Sequence, residues 1–114
     1  MLKIIVCEPG KQPEVREVEA LDLGTMQALV GGMIECVGVA EGVDLWFNEE
    51  GRLKHLPFNR DVVGVDNATW DIMGRLFVCG ADEEEGESIG LTYEQIKFWL
   101  GRLALPKVEV TSGR

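Results

Sequence analysis

One segment near the end of the chain dictates what kind of structure must precede it. In LTYEQIKFWLGRL, residues 91–103, Thr92 and Gln95 have the spacing of a capping box, and Leu91 and Ile96 that of a hydrophobic staple. Ile96, Trp99, Leu100 and Leu103 then recur at intervals that bring them to one side of a helix. Such a helix is stable in water only when its apolar stripe is buried against something else. The earlier residues must supply that surface, and they consist largely of short runs of β-forming side chains.

Leu2 to Cys7 reads as a strand, and Val15 and Val18 alternate with charged residues across 14–19. Between them EPGKQP, with Pro9, Gly10 and Pro13, suits a hairpin turn. Asp22 is placed to cap a short helix through Met26, Leu29 and Val30, and Gly31-Gly32 is placed to end it. Residues 33–40 and 43–47 are rich in β-formers and are joined by Glu41-Gly42, a two-residue hairpin signal. Residues 52–67 are predicted to be irregular, with Pro57 barring a regular helix, and the apolar run 70–79 holds one strand, RLFVCG. The expected order is β-β-α-β-β-irregular-β-α. It implies an α+β domain: an antiparallel or mixed sheet of about five strands with two helices on one face. Residues 1–105 form that single domain, and 106–114 read as a frayed tail.

Charge narrows the function classes. The 114 residues carry 20 acidic and 11 basic side chains, a formal charge of −9. A surface of that sign repels phosphate backbones, so direct binding of nucleic acid is not expected. The apolar amino terminus ends at Cys7, too short for a membrane span or a signal-peptide core, so the expected location is cytoplasmic, with no membrane partner. Cysteines 7, 36 and 79 are odd in number, lack Cys-x-x-Cys spacing and are flanked by apolar residues, so buried free thiols are expected rather than disulfides or a metal site. The single histidine, His55, has no recognisable nucleophile beside it, and no phosphate-cradling glycine loop is present. No catalytic residue and no cofactor is indicated, and the chain is expected not to be an enzyme.

The densest polar stretch is NEEGRLKHLPFNR, residues 48–60. Two readings fit it. In one, Asn59 and Arg60 pin a loop, with Arg60 bonded to backbone carbonyls or to a carboxylate of the Glu49-Glu50 turn. In the other, the same parts make a ligand or partner site: the Arg60 guanidinium for a phosphate or carboxylate, Asn59 for a base edge, and Trp46 or Phe47 as a stacking wall. Trp46, Asn48, Glu50, Asn59 and Arg60 are accordingly the candidate ligand- or partner-binding residues.

The opening strand with EPGKQPEV, the helix closed by GG and followed by MIECV, the block NEEGRLKHLPFNR, and then DIMGRLFVCG and LTYEQI occur in an order that resembles the family known as domain of unknown function 3846. The likeness spans roughly residues 2 to 100. Asn48, Glu50, Gly51, Pro57, Asn59 and Arg60 match its polar block, and Gly74 and Gly80 its following strand. The chain departs from it in the acidic run 82–87. The resemblance implies a small acidic protein of bacteriophages and mobile elements, and it carries no activity with it. The expectation that follows is a non-enzymatic accessory protein countering a host defence. Its partner would be a host protein or a sequestered nucleotide-type signal molecule, with self-association left open. The alternative is an acidic DNA mimic that occupies a restriction or transcription protein, suggested by residues 82–87.

Overall fold

Two stretches, residues 4–7 and 76–80, are buried at every position, which a strand achieves only when both faces of its sheet are covered. The computed structural model describes residues 1–107 and shows how that cover is built. In chain order the elements are β1 (Leu2–Cys7), β2 (Glu14–Val18), α1 (Leu23–Val30), β3 (Ile34–Ala40), β4 (Val43–Asn48), β5 (Phe58–Val63), β6 (Thr69–Met73), β7 (Leu76–Asp82), β8 (Glu87–Ile89) and α2 (Tyr93–Leu103). The main sheet runs β2-β1-β7-β4-β3 with β8 beside β7, while β5 and β6 form a separate ribbon. Every strand pair is antiparallel.

Side chains alternate across a strand, and two cores result. Ile4, Val6, Phe77 and Cys79 pack with Met26 and Val30 of α1 on one face. Ile5, Cys7, Leu76 and Val78 pack on the other with Val62 and Ile72 of the ribbon and with Ile96, Trp99 and Leu103 of α2. The apolar stripe of α2 thus finds its surface, shared with the ribbon.

The caps and turns follow the residues. Asp22 accepts from the Thr25 amide at 2.8 Å, and Gly31 ends α1 at φ 77°, a conformation open to glycine at little steric expense. The capping box is formed in both directions, the Gln95 backbone amide donating to the Thr92 hydroxyl at 3.2 Å and the Thr92 backbone amide to the Gln95 side-chain Oε1 at 2.8 Å.

Three expectations need correction. Among the described residues there are eight strands rather than about five. The helices lie on opposite faces of the sheet instead of together, because α1 has only Met26 and Val30 buried and covers the face that the ribbon and α2 leave open. The segment 52–67, expected to be irregular, contains β5. That strand escapes pattern reading because a register shift between Phe58 and Arg60 turns both Asn59 and Arg60 inward, replacing apolar alternation with two buried polar residues. Gly74, at φ 86°, divides the apolar run 70–79 into β6 and β7. Of the tail expected to fray, residues 108–114 lie outside the described residues.

Candidate functional site

The residues singled out in the polar block separate into two groups on opposite sides of the main sheet. Asn59 and Arg60 belong to the side of α2. Both are 4% exposed, and with Asn48 they are the buried polar residues among those described. Asn59 sits at the bulge of β5, which aims its amide between the ends of neighbouring strands. Its Nδ2 donates to the carbonyls of Cys7 and Gly74, each at 2.8 Å, and its Oδ1 accepts from Nε of Arg60 at 2.7 Å.

The remaining guanidinium nitrogens of Arg60 also point inward. Nη1 donates to the carbonyl of Leu103, and Nη2 donates to those of Glu8, at 3.2 Å, and Lys11. All three nitrogens are engaged, and every acceptor outside Asn59 is main chain. Leu103 is the last residue of α2, where unpaired carbonyls and the negative end of the helix dipole favour a cation. Burial pulls the Arg60 pKa below its usual value, while Cys7 acts in the opposite sense. A guanidinium nevertheless keeps its charge in a protein. The carbonyls therefore do the work that a carboxylate would do in an ion pair. Of the two anchors expected for Arg60, backbone carbonyls or a carboxylate of the Glu49-Glu50 turn, the first is formed: Glu49 and Glu50 lie in the turn after β4, whereas Arg60 faces the β1–β2 connection and the end of α2.

Gln12 strengthens the same junction. Its Nε2 donates to the carbonyl of Leu105 at 2.9 Å, and its Oε1 accepts from the Leu105 amide at 2.8 Å. Sequence reasoning did not single out Gln12, and its only signal is an amide side chain between Gly10 and Pro13.

Trp46 and Asn48 belong to the side of α1. Trp46 is half-buried and stacks on Phe77, with centroids 6.2 Å apart and planes 9° from parallel. It walls no cavity with Arg60. Asn48 accepts from the Glu50 amide at 2.8 Å and donates, over 3.4 Å, to the carbonyl of Val30 at the end of α1. It lies so close to Gly32 that a Cβ there would sit 2.8 Å from its Nδ2. Glu50 turns outward to Lys54, at 3.1 Å.

The turn holding Arg52 and His55 borders depressions of 140 to 340 Å³, at or below the small end of ligand pockets, about 300–1,000 Å³. Arg52 reaches Asp71 at 3.4 Å there. His55 occupies a positive φ of 53° in the turn.

Cys7 and Cys79 are buried, but Cys36 is exposed, contrary to the expectation of three buried thiols. β3 is an edge strand, and α1 leaves this part of its face open. Desolvation raises all three thiols, Cys7 and Cys79 to about 11 and Cys36 to about 12, with Asp44 adding to the rise at Cys36. Thiols held so high are poor nucleophiles near neutrality. Among the described residues no group of three or more His, Cys, Asp or Glu side chains is arranged to hold a metal ion. No helix among them is long and apolar enough to cross a membrane.

The architecture defines a small α+β domain in which the buried polar pair Asn59 and Arg60 is turned onto its own main chain. The model of the family described as Domain of unknown function (DUF3846) matches residues 2–104, and the chain belongs to that family. No curated protein and no solved structure matches it.

Proposed function

We propose that this is a non-enzymatic binding protein whose partner is another protein, and that it serves a phage or other mobile element by engaging a protein of the host. The observation that carries this reading is the inward engagement of Asn59 and Arg60. Sequestering a nucleotide-type signal would need those donors, and an aromatic wall beside them, facing a ligand. They face carbonyls, and Trp46 lies across the sheet. A protein partner needs only an accessible surface, and Tyr93, Phe98 and Val65 supply exposed apolar area.

The test pairs a thermal-shift screen against cyclic di- and oligonucleotides with affinity capture from host lysate and reconstitution of the captured protein. A nucleotide present at a hundredfold its dissociation constant adds about 2.7 kcal/mol of stability, a visible shift. The expected result is a flat screen and a reconstituted protein complex. A nucleotide that shifts the melting curve, with no protein complex, contradicts the proposal.

A further inference from the structure

The charges of this chain are segregated along its sequence, and the fold turns that segregation into a surface. No Lys, Arg or His occurs from residue 17 to 51 or from 76 to 96. These segments include β3 and β4 with their turn, and β7 and β8 with theirs. The two turns meet, since the Ala81 amide donates to the Gly42 carbonyl at 2.9 Å. Glu41 is therefore brought beside the run that begins at Asp82. Asp82 holds its own turn by accepting from the amides of Glu84 and Glu85 at 3.1 and 3.2 Å, leaving the glutamates exposed. The start of α2 joins the same end, with Gln95 Nε2 3.9 Å from where a Cβ on Gly42 would lie.

Next to this acidic end lies an apolar depression of about 280 Å³, floored by Ala40, Val43, Val65, Phe98 and Trp99 and rimmed by Glu41, Glu94 and Gln95. Phe98 is 48% exposed and Val65 53% exposed. Phe98 is nevertheless fixed, edge-on to Trp99 at 5.3 Å and beneath the Arg102 guanidinium at 5.5 Å. Arg102 is itself tied to the carbonyls of Val63 and Gly64 at 3.0 and 2.9 Å. Lys97, the other cation of this helix, lies 3.6 Å from Glu94 and over the Tyr93 ring. An ordered aromatic at the edge of a shallow apolar hollow, bounded by carboxylates, is the arrangement of an anchor pocket with a charged rim.

We infer that this hollow docks a basic segment of a partner protein, one that inserts a large apolar side chain against Phe98 and Val65 and places flanking Lys or Arg against Glu41, Glu94 and the 82–87 turn. The inference rests on the protein-binding reading above and adds where the partner sits and what it is made of. Charge complementarity selects this occupant. A second copy of the chain would bring two acidic rims together, and nucleic acid or an anionic membrane would be repelled by the same carboxylates. The hollow has room for one or two large side chains, which suits a peptide anchor.

The test uses a fluorescent model peptide alternating Leu and Lys, with an all-Lys peptide and a Leu-Glu peptide as controls, at physiological salt. The Leu-Lys peptide is expected to bind at least tenfold more tightly than either control. It is expected to perturb the amide resonances of Val65, Phe98 and Glu41. Phe98→Ser, and separately Val65→Ser, should each weaken it about tenfold while leaving the melting temperature within a few degrees, since both side chains are half exposed. Equal binding of the Leu-Lys and all-Lys peptides, or binding that survives both substitutions, overturns the anchor. Steep salt dependence combined with indifference to Phe98→Ser would indicate contact with the carboxylates alone and also overturns it. A captured host protein that binds the Phe98→Ser and Val65→Ser variants as tightly as the unaltered chain refutes this docking site and leaves the protein-binding reading standing. A nucleotide ligand refutes that reading itself.

Discussion

Arg60 donates a hydrogen bond to the backbone carbonyl of Leu103, 43 residues further along the chain. Through it the ribbon of β5 and β6 is fastened to the last turn of α2, and the same guanidinium reaches the Glu8 and Lys11 carbonyls of the first hairpin connection. Three parts of the chain that share no strand ladder meet on one side chain. The end of the polar block, Asn59 and Arg60, therefore acts as a fastening of the fold, while the turn around Arg52 within the same block is exposed.

Asn59→Asp separates this account from one in which a buried guanidinium simply wants a carboxylate. The substitution would give Arg60 an anionic neighbour. It would also remove both amide donors from the carbonyls of Cys7 and Gly74 and set a carboxylate against them. Stranded buried carbonyls cost about 1–3 kcal/mol each, so Asn59→Asp is expected to destabilise despite the new charge pair. Urea denaturation at neutral pH reads this directly, and a stabilised variant would contradict it.

Asp61 and Asp71 are directly opposed across the ribbon. Asp61 has its pKa raised, first by the hydrogen bond with Asp71, then by desolvation and by the Asp71 charge. A carboxyl with a raised folded-state pKa gives stability that is present below the unfolded pKa and is lost as pH rises through the folded one. Like charges placed opposite each other destabilise a sheet. Asp61→Asn is therefore expected to raise the melting temperature at pH 7 and to do so less at pH 3. An equal change at both pH values, or a decrease at pH 7, would show that the pair is not repulsive.

Cys36 is accessible but poorly ionised, its thiol pushed up to about 12 by desolvation and by Asp44. Alkylation by iodoacetamide at pH 8 is expected to be slow and to accelerate about tenfold per pH unit, following the thiolate fraction. Asp44→Asn should speed it at fixed pH. Cys7 and Cys79 should react only when the chain unfolds. Mass spectrometry of the labelled peptides distinguishes the three, and rapid labelling of Cys36 at neutral pH would contradict the shift.

The elements legible in the sequence are those whose local chemistry and tertiary setting agree. α2 has its capping box and apolar stripe, α1 its Asp22 and Gly31, and β3 and β4 their Glu41-Gly42 turn. The ribbon was not legible because β5 presents Asn59 and Arg60 to the interior, so its pattern resembles a polar loop until the acceptors on Cys7, Gly74 and Leu103 are known. β8 was hidden for another reason: Glu87–Ile89 is short and follows an acidic run, and it is a strand because β7 offers it a partner. Of the candidate residues, Asn59 and Arg60 do meet, as their adjacency suggested. Trp46 cannot join them, since the alternation of β4 sends it to the face of α1, and no one-dimensional pattern reports which face a distant residue shares.

The claim that Arg60 is a fastening and not a ligand group is tested most directly by denaturing Arg60→Ala and Arg60→Lys beside the unaltered chain. Removing the guanidinium strands the carbonyls of Leu103, Glu8 and Lys11 and the Asn59 Oδ1. The Ala variant is expected to lose about 2 kcal/mol or more. At about 4 °C per kcal/mol for a domain of this size, its melting temperature should fall by about 8 °C or more. Lys should recover only part of this, because a single ammonium cannot span acceptors arranged for a planar fork. An Arg60→Ala protein that melts with the unaltered chain would contradict the account.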